Sequence, residues 1–149
     1  MPGFLPDTSC MVAAVCAWHE HHERVAQELE RRLSHGEAML IAAPALVETY
    51  AVLTRLPPPH RLSPADALVL LEANFMGEAK TVALDANSYR TLLRQASRDG
   101  IAGGRTYDLV IAACAFKVRA AVLLTLNPGH FLPFSRKGLE IVVPGEPRR

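Results

Sequence analysis

The chain has 149 residues, of which 50% are hydrophobic and 21% are charged, and its formal net charge is +1. This length suits one domain with a single core, and the composition is too hydrophobic for a disordered chain. The small net charge excludes a protein that attracts nucleic acid through its overall charge, so any basic surface must be local.

The cysteines and the apolar segments indicate the compartment. Cys10, Cys16 and Cys114 lie among small apolar residues and have no C-x-x-C spacing, which predicts buried free thiols in a reducing compartment rather than disulfides or a zinc site. The apolar run 11–18 has no basic residues before it and is too short to cross a bilayer. We therefore expect a cytoplasmic protein with no membrane partner.

Short apolar segments that predict strands alternate with segments whose periodicity predicts helices. In chain order we expect a strand over 3–6, a helix through 11–16 capped by Thr8 or Ser9, a helix over 19–33, a strand over 39–42, a helix from Pro44 to the prolines at 57–59, a helix from a Ser63 cap to about Met76, a strand over 80–84, a helix over 86–98 capped by Asp85 and ended by Gly100, a helix containing Asp108, and strands over 121–125 and 139–143. This alternation is typical of an α/β fold with a parallel sheet covered on both faces. We expect residues 1–143 to form one domain and 144–149 to form a loose tail.

Three isolated acids, Asp7, Glu48 and Asp108, stand in apolar surroundings. Asp7 follows the first predicted strand, whereas Glu48 and Asp108 lie near the starts of predicted helices. Ligand sites of open α/β sheets form outside the carboxyl ends of the strands. We therefore expect the three acids at one edge of the sheet, together with Asn127, which follows the strand over 121–125.

Carboxylates gathered at one edge need a counter-charge. Two of them about 5 Å apart repel by roughly 3 kcal/mol at an effective dielectric constant of ~20, so they must share protons or bind a cation. Mg²⁺ prefers oxygen ligands and needs only one or two direct carboxylates, because it keeps several waters. The chemistry that such a site supports best is metal-assisted phosphodiester hydrolysis.

Each candidate residue also has a structural interpretation. Asp7 can cap a helix, Asp108 can interact with the dipole at a helix start, and Glu48 can be a partly buried acid with a partner. Asn127 and His130 flank a Pro-Gly pair and are natural turn residues. Three histidines, His19, His21 and His22, could bind a metal or simply form a solvated helix end.

Four motifs follow one another along nearly the whole chain. They are Asp-Thr-Ser after the first short strand, a Glu near residue 48, Tyr-Asp-Leu-Val-Ile-Ala-Ala opening a late helix, and Leu-Leu-Thr-Leu-Asn-Pro-Gly-His-Phe closing the last strong strand. In this order they resemble the PIN-domain family and, within it, the VapC-type toxins of bacterial toxin–antitoxin pairs. The resemblance implies a three-layer α/β/α sandwich and an endoribonuclease that depends on Mg²⁺ or Mn²⁺. It also implies a homodimer that a small antitoxin protein inhibits.

The resemblance also implies roles for individual residues. It assigns the metal site to Asp7, Glu48 and Asp108, and hydroxyl groups that orient ligands or water to Thr8 and Thr125. The sequence departs from the family pattern in its poor first strand, where Pro6 directly precedes Asp7, and at two later positions. Asn127 stands where many relatives have a fourth acid, and His130 stands where an acid is frequent. An amide can still ligate a metal or bind metal-held water, but it lowers the charge of the site.

Other functions and contacts remain open at this point. Asn127 permits a catalytically weak PIN-like module that binds RNA or a partner protein. A phosphatase with Asp7 as nucleophile is disfavoured, because Ser9 stands where such enzymes have a second acid. Among the basic residues near Asp108 in the sequence, we expect contacts with RNA phosphates from Arg94, Arg98 and Arg105, with an ordinary charged helix face as the alternative.

Overall fold

The computed structural model describes residues 2–146, apart from the side chains of residues 136 and 137. Of the tail predicted over 144–149, residues 147–149 lie outside the described residues, whereas Pro144 is buried. No helix among residues 2–146 is long and apolar enough to cross a membrane. The three cysteines are buried and unpaired, as the sequence predicts.

Strands and helices alternate along the chain. The elements are β1 (Gly3–Pro6), α1 (Thr8–Val15), α2 (His22–Ser34), β2 (Ala38–Ala42), α3 (Ala43–Arg55), α4 (Pro64–Leu71) continued by a π-helical turn (Glu72–Met76), β3 (Lys80–Val82), α5 (Ala86–Asp99), α6 (Arg105–Lys117), β4 (Val122–Leu124), two 3₁₀ turns (Pro128–His130 and Leu132–Lys137) and β5 (Glu140–Val142). Every predicted strand and helix is present, with boundaries that differ by a few residues.

All five strands are parallel and lie in the order β3-β2-β1-β4-β5. Successive residues of a strand point to opposite faces of the sheet. Phe4 and Leu124 accordingly pack with Val25 of α2 on one face, whereas Leu5 and Leu123 pack with α3 and α6 on the other. The α/β fold with a parallel sheet between helices is confirmed.

The direction of chain progression reverses at β1, which lies between β2 and β4. Open α/β sheets form their sites at such a switch point, because the loops on the two sides diverge there. Pro6 at the end of β1 is in register with Leu124 at the end of β4. The backbone N–H of Asp7 donates to the Leu124 carbonyl at 2.9 Å. This pairing sets Asp7 beside the loop that follows β4.

The ends of the helices follow the predicted signals with one correction. Ser63 and Asp85 cap α4 and α5, and Gly100 ends α5 in the left-handed region with a φ of 68°. The cap of α1 is Asp7 and not Thr8 or Ser9. A carboxylate at that position accepts the N–H of the third helical residue as well as a hydroxyl can, and here it does so from Cys10.

Candidate active site

A cavity of about 520 Å³ lies at the carboxyl ends of β1 and β4. Its polar lining comes from four separate elements and the loops between them: Asp7, Thr8, Ser9, His19, Glu48, Arg105, Asp108, Asn127 and His130. The three acids predicted to gather at one sheet edge therefore share a single cavity, as does Asn127.

Asp7 is held rigidly by hydrogen bonds to its carboxylate. Ser9 Oγ donates to Asp7 Oδ1 at 2.6 Å and the Cys10 N–H donates to the same oxygen at 3.0 Å. Thr125 Oγ1 donates to Asp7 Oδ2 at 2.6 Å. A carboxylate has about four lone-pair positions, so one position on Oδ2 remains for a ligand from the cavity.

The burial of Asp7 has an electrostatic consequence. Burial raises the pKa of the Asp7 carboxyl, and the hydrogen bonds from Ser9, Thr125 and Cys10 lower it only in part. The hydrogen bonds thus stabilise the ionised form of Asp7 by less than its burial destabilises it. No cationic side chain within residues 2–146 forms an ion pair with Asp7, so its ionised form calls for a cation from solution.

The loop after β4 is tied to the start of α1 by two hydroxyl groups. Thr125 Oγ1 accepts the Asn127 N–H at 2.9 Å, and Ser9 Oγ accepts the Leu126 N–H at 3.1 Å. Each of these hydroxyls also donates to Asp7. The same contacts that orient the Asp7 carboxylate therefore hold Asn127 at the cavity.

Asp108 lies in the first turn of α6 and faces His130, whose Nδ1 is 3.1 Å from Asp108 Oδ2. Burial raises the pKa of Asp108, and the negative charges of Asp7 and Glu48 raise it further, while His130 and Arg105 oppose the shift. Asp7 and Glu48 are therefore close enough to Asp108 to disfavour its ionised form. His130 is a partner of a site residue and not a turn residue alone.

Glu48 lies in the middle of α3, where it is half-buried beside the cavity. Its carboxylate makes no hydrogen bond or ion pair with any residue in the described range 2–146. This differs from the structural interpretation of Glu48, which requires a satisfied partner. Both carboxylate oxygens remain available to the contents of the cavity.

The other predicted site residues fall into two groups. Thr8 Oγ1 is buried and has no hydrogen-bond partner within residues 2–146, and Arg105 lines the cavity. Arg94 and Arg98 are exposed on α5 and are not among the described lining residues. Contacts of these two arginines with RNA stay a prediction.

Two of the polar lining residues, Ser9 and His19, are not predicted for the site from the sequence. Ser9 follows Asp7 by two residues, and an acceptor at a helix cap followed by a hydroxyl is a local signal that could have identified it. His19 lies in the turns between α1 and α2. No local pattern separates His19 from its neighbours His21 and His22, so only the tertiary structure brings it to the cavity.

The donors at the cavity are those that a hard divalent ion prefers. Carboxylate, amide and hydroxyl oxygens suit Mg²⁺ or Mn²⁺, whereas the cysteines that would suit zinc are buried and are not among the described lining residues. Among residues 2–146 no three His, Cys, Asp or Glu side chains converge closely enough to bind one ion directly. An ion here would thus be held by one or two carboxylates, and the others would act through its waters.

Comparisons with known proteins agree with this geometry. The family model for the PIN domain matches residues 4–135. Ribonuclease VapC40 of Mycobacterium tuberculosis is 42% identical over 136 residues, which are 91% of this chain and 95% of that protein. Ribonuclease VapC27 of the same species is 34% identical over 142 residues, or 95% and 97% of the two chains.

A solved structure has the same fold. The crystal structure of DNA-bound VapBC from Salmonella typhimurium contains a chain that superimposes with a TM-score of 0.65 and 22% sequence identity. The superposition covers 96% of this chain and 98% of that one. The whole architecture, and not only the sheet, is therefore shared.

Proposed function

Because this chain belongs to the PIN-domain family, among its VapC-type ribonucleases, we propose that it is a toxin that cleaves RNA internally with the help of a divalent metal ion. The observation that carries the proposal is the gathering of Asp7, Glu48 and Asp108 at one cavity. Within residues 2–146, Asp7 and Glu48 have no cationic partner. A cation from solution would supply the charge that is missing.

Metal binding is supported by the state of the donors. Asp7 is preoriented and has one lone pair free on Oδ2. Glu48 has both oxygens free, and the buried hydroxyl of Thr8 lacks a partner beside them. We assign direct or water-mediated contacts with Mg²⁺ or Mn²⁺ to the three acids, and a contact through water to the amide of Asn127.

The reaction is hydrolysis of a phosphodiester bond. A bound divalent ion would activate a water molecule and offset the charge of the attacked phosphate. Water attacks phosphorus, one ester oxygen leaves, and the water gives up a proton. Glu48, which makes no internal hydrogen bond, is the carboxylate that we assign to accept this proton. Arg105 at the rim of the cavity would hold a phosphate oxygen of the RNA.

We propose two protein partners. The first is a cognate antitoxin, supported by the VapC-type relatives. The second is another copy of this chain, supported by an apolar groove beside Glu48 that includes Val47 and Tyr107, exposed by 70% and 57%. Exposed apolar surface of this kind is typical of protein interfaces.

RNA as the substrate and three reduced, buried thiols also support a cytoplasmic location.

The experiment is cleavage of a mixed pool of tRNA and ribosomal RNA by the purified, antitoxin-free protein. Mg²⁺, Mn²⁺ and EDTA are compared for the wild type and for Asp7→Asn, which keeps an oxygen for the Cys10 N–H but removes the charge. Asp85→Asn is the matched control, because Asp85 also caps a helix but is exposed and lines no part of the cavity.

Discrete cuts that require the metal and Asp7, but not Asp85, are the expected result. Cuts that persist in EDTA would contradict the metal proposal while leaving the ribonuclease intact. RNA or antitoxin that binds without any cut in Mg²⁺ or Mn²⁺ would indicate a binding module instead.

A further inference from the structure

An aromatic strip runs outward from the candidate active site. It consists of Trp18, His19 and His60. The Trp18 and His60 rings are stacked, with centroids 4.1 Å apart and planes inclined by 21°, and the Trp18 and His19 centroids are 5.9 Å apart. His19 itself lines the catalytic cavity. The strip is therefore continuous with the cavity that holds the three acids.

The strip is open to solvent although it is aromatic. Trp18 is the only tryptophan of the chain, and it is 48% exposed. His60 is exposed on the loop after α3. A large aromatic ring that stays half exposed contributes little to the core. Its free surface is available for a ligand with a flat face.

His19 is held as a neutral ring. Its Nδ1 accepts the backbone N–H of His21 at 3.0 Å. This contact favours the neutral ring, because a proton on Nδ1 would point at the proton of that N–H. Burial and the neighbouring histidines accordingly lower the pKa of His19. The side of the strip next to the cavity thus offers a ring face and not a fixed charge. His22 Nδ1 lies 2.8 Å from the Ala13 carbonyl oxygen. In both His19 and His22, Nδ1 therefore contacts a backbone group, which does not favour a metal site shared by these two residues.

Two arginines lie close to His60 along the chain and would attract the phosphates of an RNA strand at the outer end of the strip. Glu48 and Val52 of α3 both line the cavity, and Arg55 continues their helical face one turn further on. Arg61 follows His60 directly, and its Nε donates to the Leu56 carbonyl at 2.8 Å. Glu20, which directly follows His19, lies 3.3 Å from His21, and the three acids of the cavity lie at the inner end of the strip.

We propose that this aromatic strip stacks an unpaired base of the RNA substrate next to the phosphodiester bond that is cleaved. Every base has a flat face, so stacking on aromatic rings binds single strands with little sequence preference. A duplex keeps its bases stacked internally and cannot use the strip. The proposal rests on the proposed function and adds the side chains that bind the base next to the cleaved bond.

The single tryptophan makes the test direct. A cleavage-deficient protein, Asp108→Asn, is titrated with an unpaired oligouridine or oligoadenine RNA and with an RNA duplex of the same length. We expect the unpaired RNA to quench the Trp18 fluorescence and the duplex to leave it nearly unchanged. Trp18→Ala in the same background should weaken binding of unpaired, labelled RNA by about 5- to 150-fold, the range for one stacked base.

Two matched variants keep the result interpretable. Trp18→Phe retains a ring and should restore affinity to within about threefold of the parent, since stacking needs only the ring face. His60→Ala is compared with His35→Ala, because His35 is also exposed but lies at the end of α2. Only His60→Ala should weaken binding.

Three outcomes would overturn the proposal: equal quenching by duplex and unpaired RNA, full affinity of Trp18→Ala, or loss of antitoxin binding in Trp18→Ala with RNA binding unchanged. The last would assign the strip to the antitoxin. Cleavage by the wild-type protein in Mg²⁺ is measured separately. If the wild type does not cleave RNA but RNA binding depends on Trp18, only the proposed enzymatic activity is contradicted. If Trp18→Ala cleaves RNA normally, only the proposed role of the strip is contradicted.

Discussion

Arg32 on α2 and Asp7 after β1 are both charged residues in the interior, exposed by only 1% and 3%. Arg32 lies among acids of its own chain. Its Nη1 is 2.8 Å from Glu37 Oε1, its Nε is 3.4 Å from Glu28 Oε2, and its guanidinium lies 5.9 Å from the centre of the Phe4 ring. The charge of Arg32 is therefore compensated within the molecule.

The surroundings of Asp7 are different in kind. Its partners are two hydroxyls, one backbone N–H and the Cys10 thiol, all neutral donors. Asp108 lines the same cavity. Burial and the charges of Asp7 and Glu48 raise its pKa, whereas His130 and Arg105 lower it. Among the residues 2–146, the partners of the Asp7 carboxylate therefore orient it without supplying a positive charge.

The difference separates charges that stabilise the fold from charges that are kept for a ligand. A buried ion pair that loses one member leaves an uncompensated charge, which is strongly destabilising. A cluster of like charges, in contrast, becomes more stable when one charge is removed. Acids with raised pKa values that lie together in a cleft are thus indicators of a functional site. Four measurements test this distinction.

The largest effect is expected at the compensated charge. Arg32→Met should lower the free energy of unfolding by about 3–5 kcal/mol, because Glu28 and Glu37 lose their buried partner. The neighbouring Arg31→Met is the control. Arg31 pairs with Glu28 but its side chain is half exposed, so its loss should cost at most about 1 kcal/mol. Urea unfolding in EDTA measures both, and equal small losses would show that the buried cluster does not stabilise the fold.

At the uncompensated cluster, Asp108→Asn should reduce RNA cleavage by about 10²–10³-fold or more, the scale for losing one charge-stabilising group. Its stability without metal should equal or slightly exceed that of the wild type, because a repulsive charge is removed. Single-turnover cleavage and urea unfolding are measured on the same preparation. Marked unfolding of Asp108→Asn would assign Asp108 a structural role at the start of α6.

A smaller effect is expected at His130, which contacts Asp108 and not the reacting atoms. His130→Ala should raise the Mg²⁺ concentration needed for half-maximal cleavage by about 10–100-fold, since groups that orient a metal ligand have effects of this size. Cleavage at saturating Mg²⁺ should recover in part. His35→Ala, an exposed histidine far from the cavity, should leave the Mg²⁺ dependence unchanged. A loss of cleavage that no Mg²⁺ concentration reverses would contradict the positioning role.

The smallest effect concerns pH. The pKa values of Asp7 and Asp108 are raised in the folded chain, so the folded state holds protons that the unfolded state has lost. Their contribution to stability is complete below the unfolded pKa of about 4 and is lost as pH rises through the raised values. In EDTA, stability should fall as pH rises above about 4 until both carboxyls are ionised in the folded chain, by at most about 1.4 kcal/mol per pH unit for each proton.

Saturating Mg²⁺ should remove or reverse this slope, because a ligand that binds only the folded, ionised site stabilises it. Thermal unfolding at several pH values, with and without Mg²⁺, measures the difference. The exposed cap Asp85 has a lowered pKa and acts in the opposite sense, but only below about pH 4. Identical pH profiles with and without the metal would show that the carboxylates do not bind it.

Much of the fold could be predicted from local patterns. The apolar run at 122–124 has no polar position and is a strand buried on both faces, and Ser63 and Asp85 cap the helices that they precede. These features depend on a few neighbouring residues and on backbone geometry, so they are readable without the tertiary structure. Asp7 was predicted at a strand end for the same reason, although its capping role was assigned to its neighbours.

By itself, therefore, the sequence determined the alternation of strands and helices, the edge at which the acids gather, and the family to which the chain belongs. The tertiary structure alone decided which contacts each acid makes: Thr125, 118 residues away, holds Asp7, and His130 faces Asp108. It also decided that His19 lines the cavity, whereas Arg32 is buried between two acids. Such partners are set by the packing of distant segments, and no local propensity encodes a contact between residues that meet only when the sheet forms.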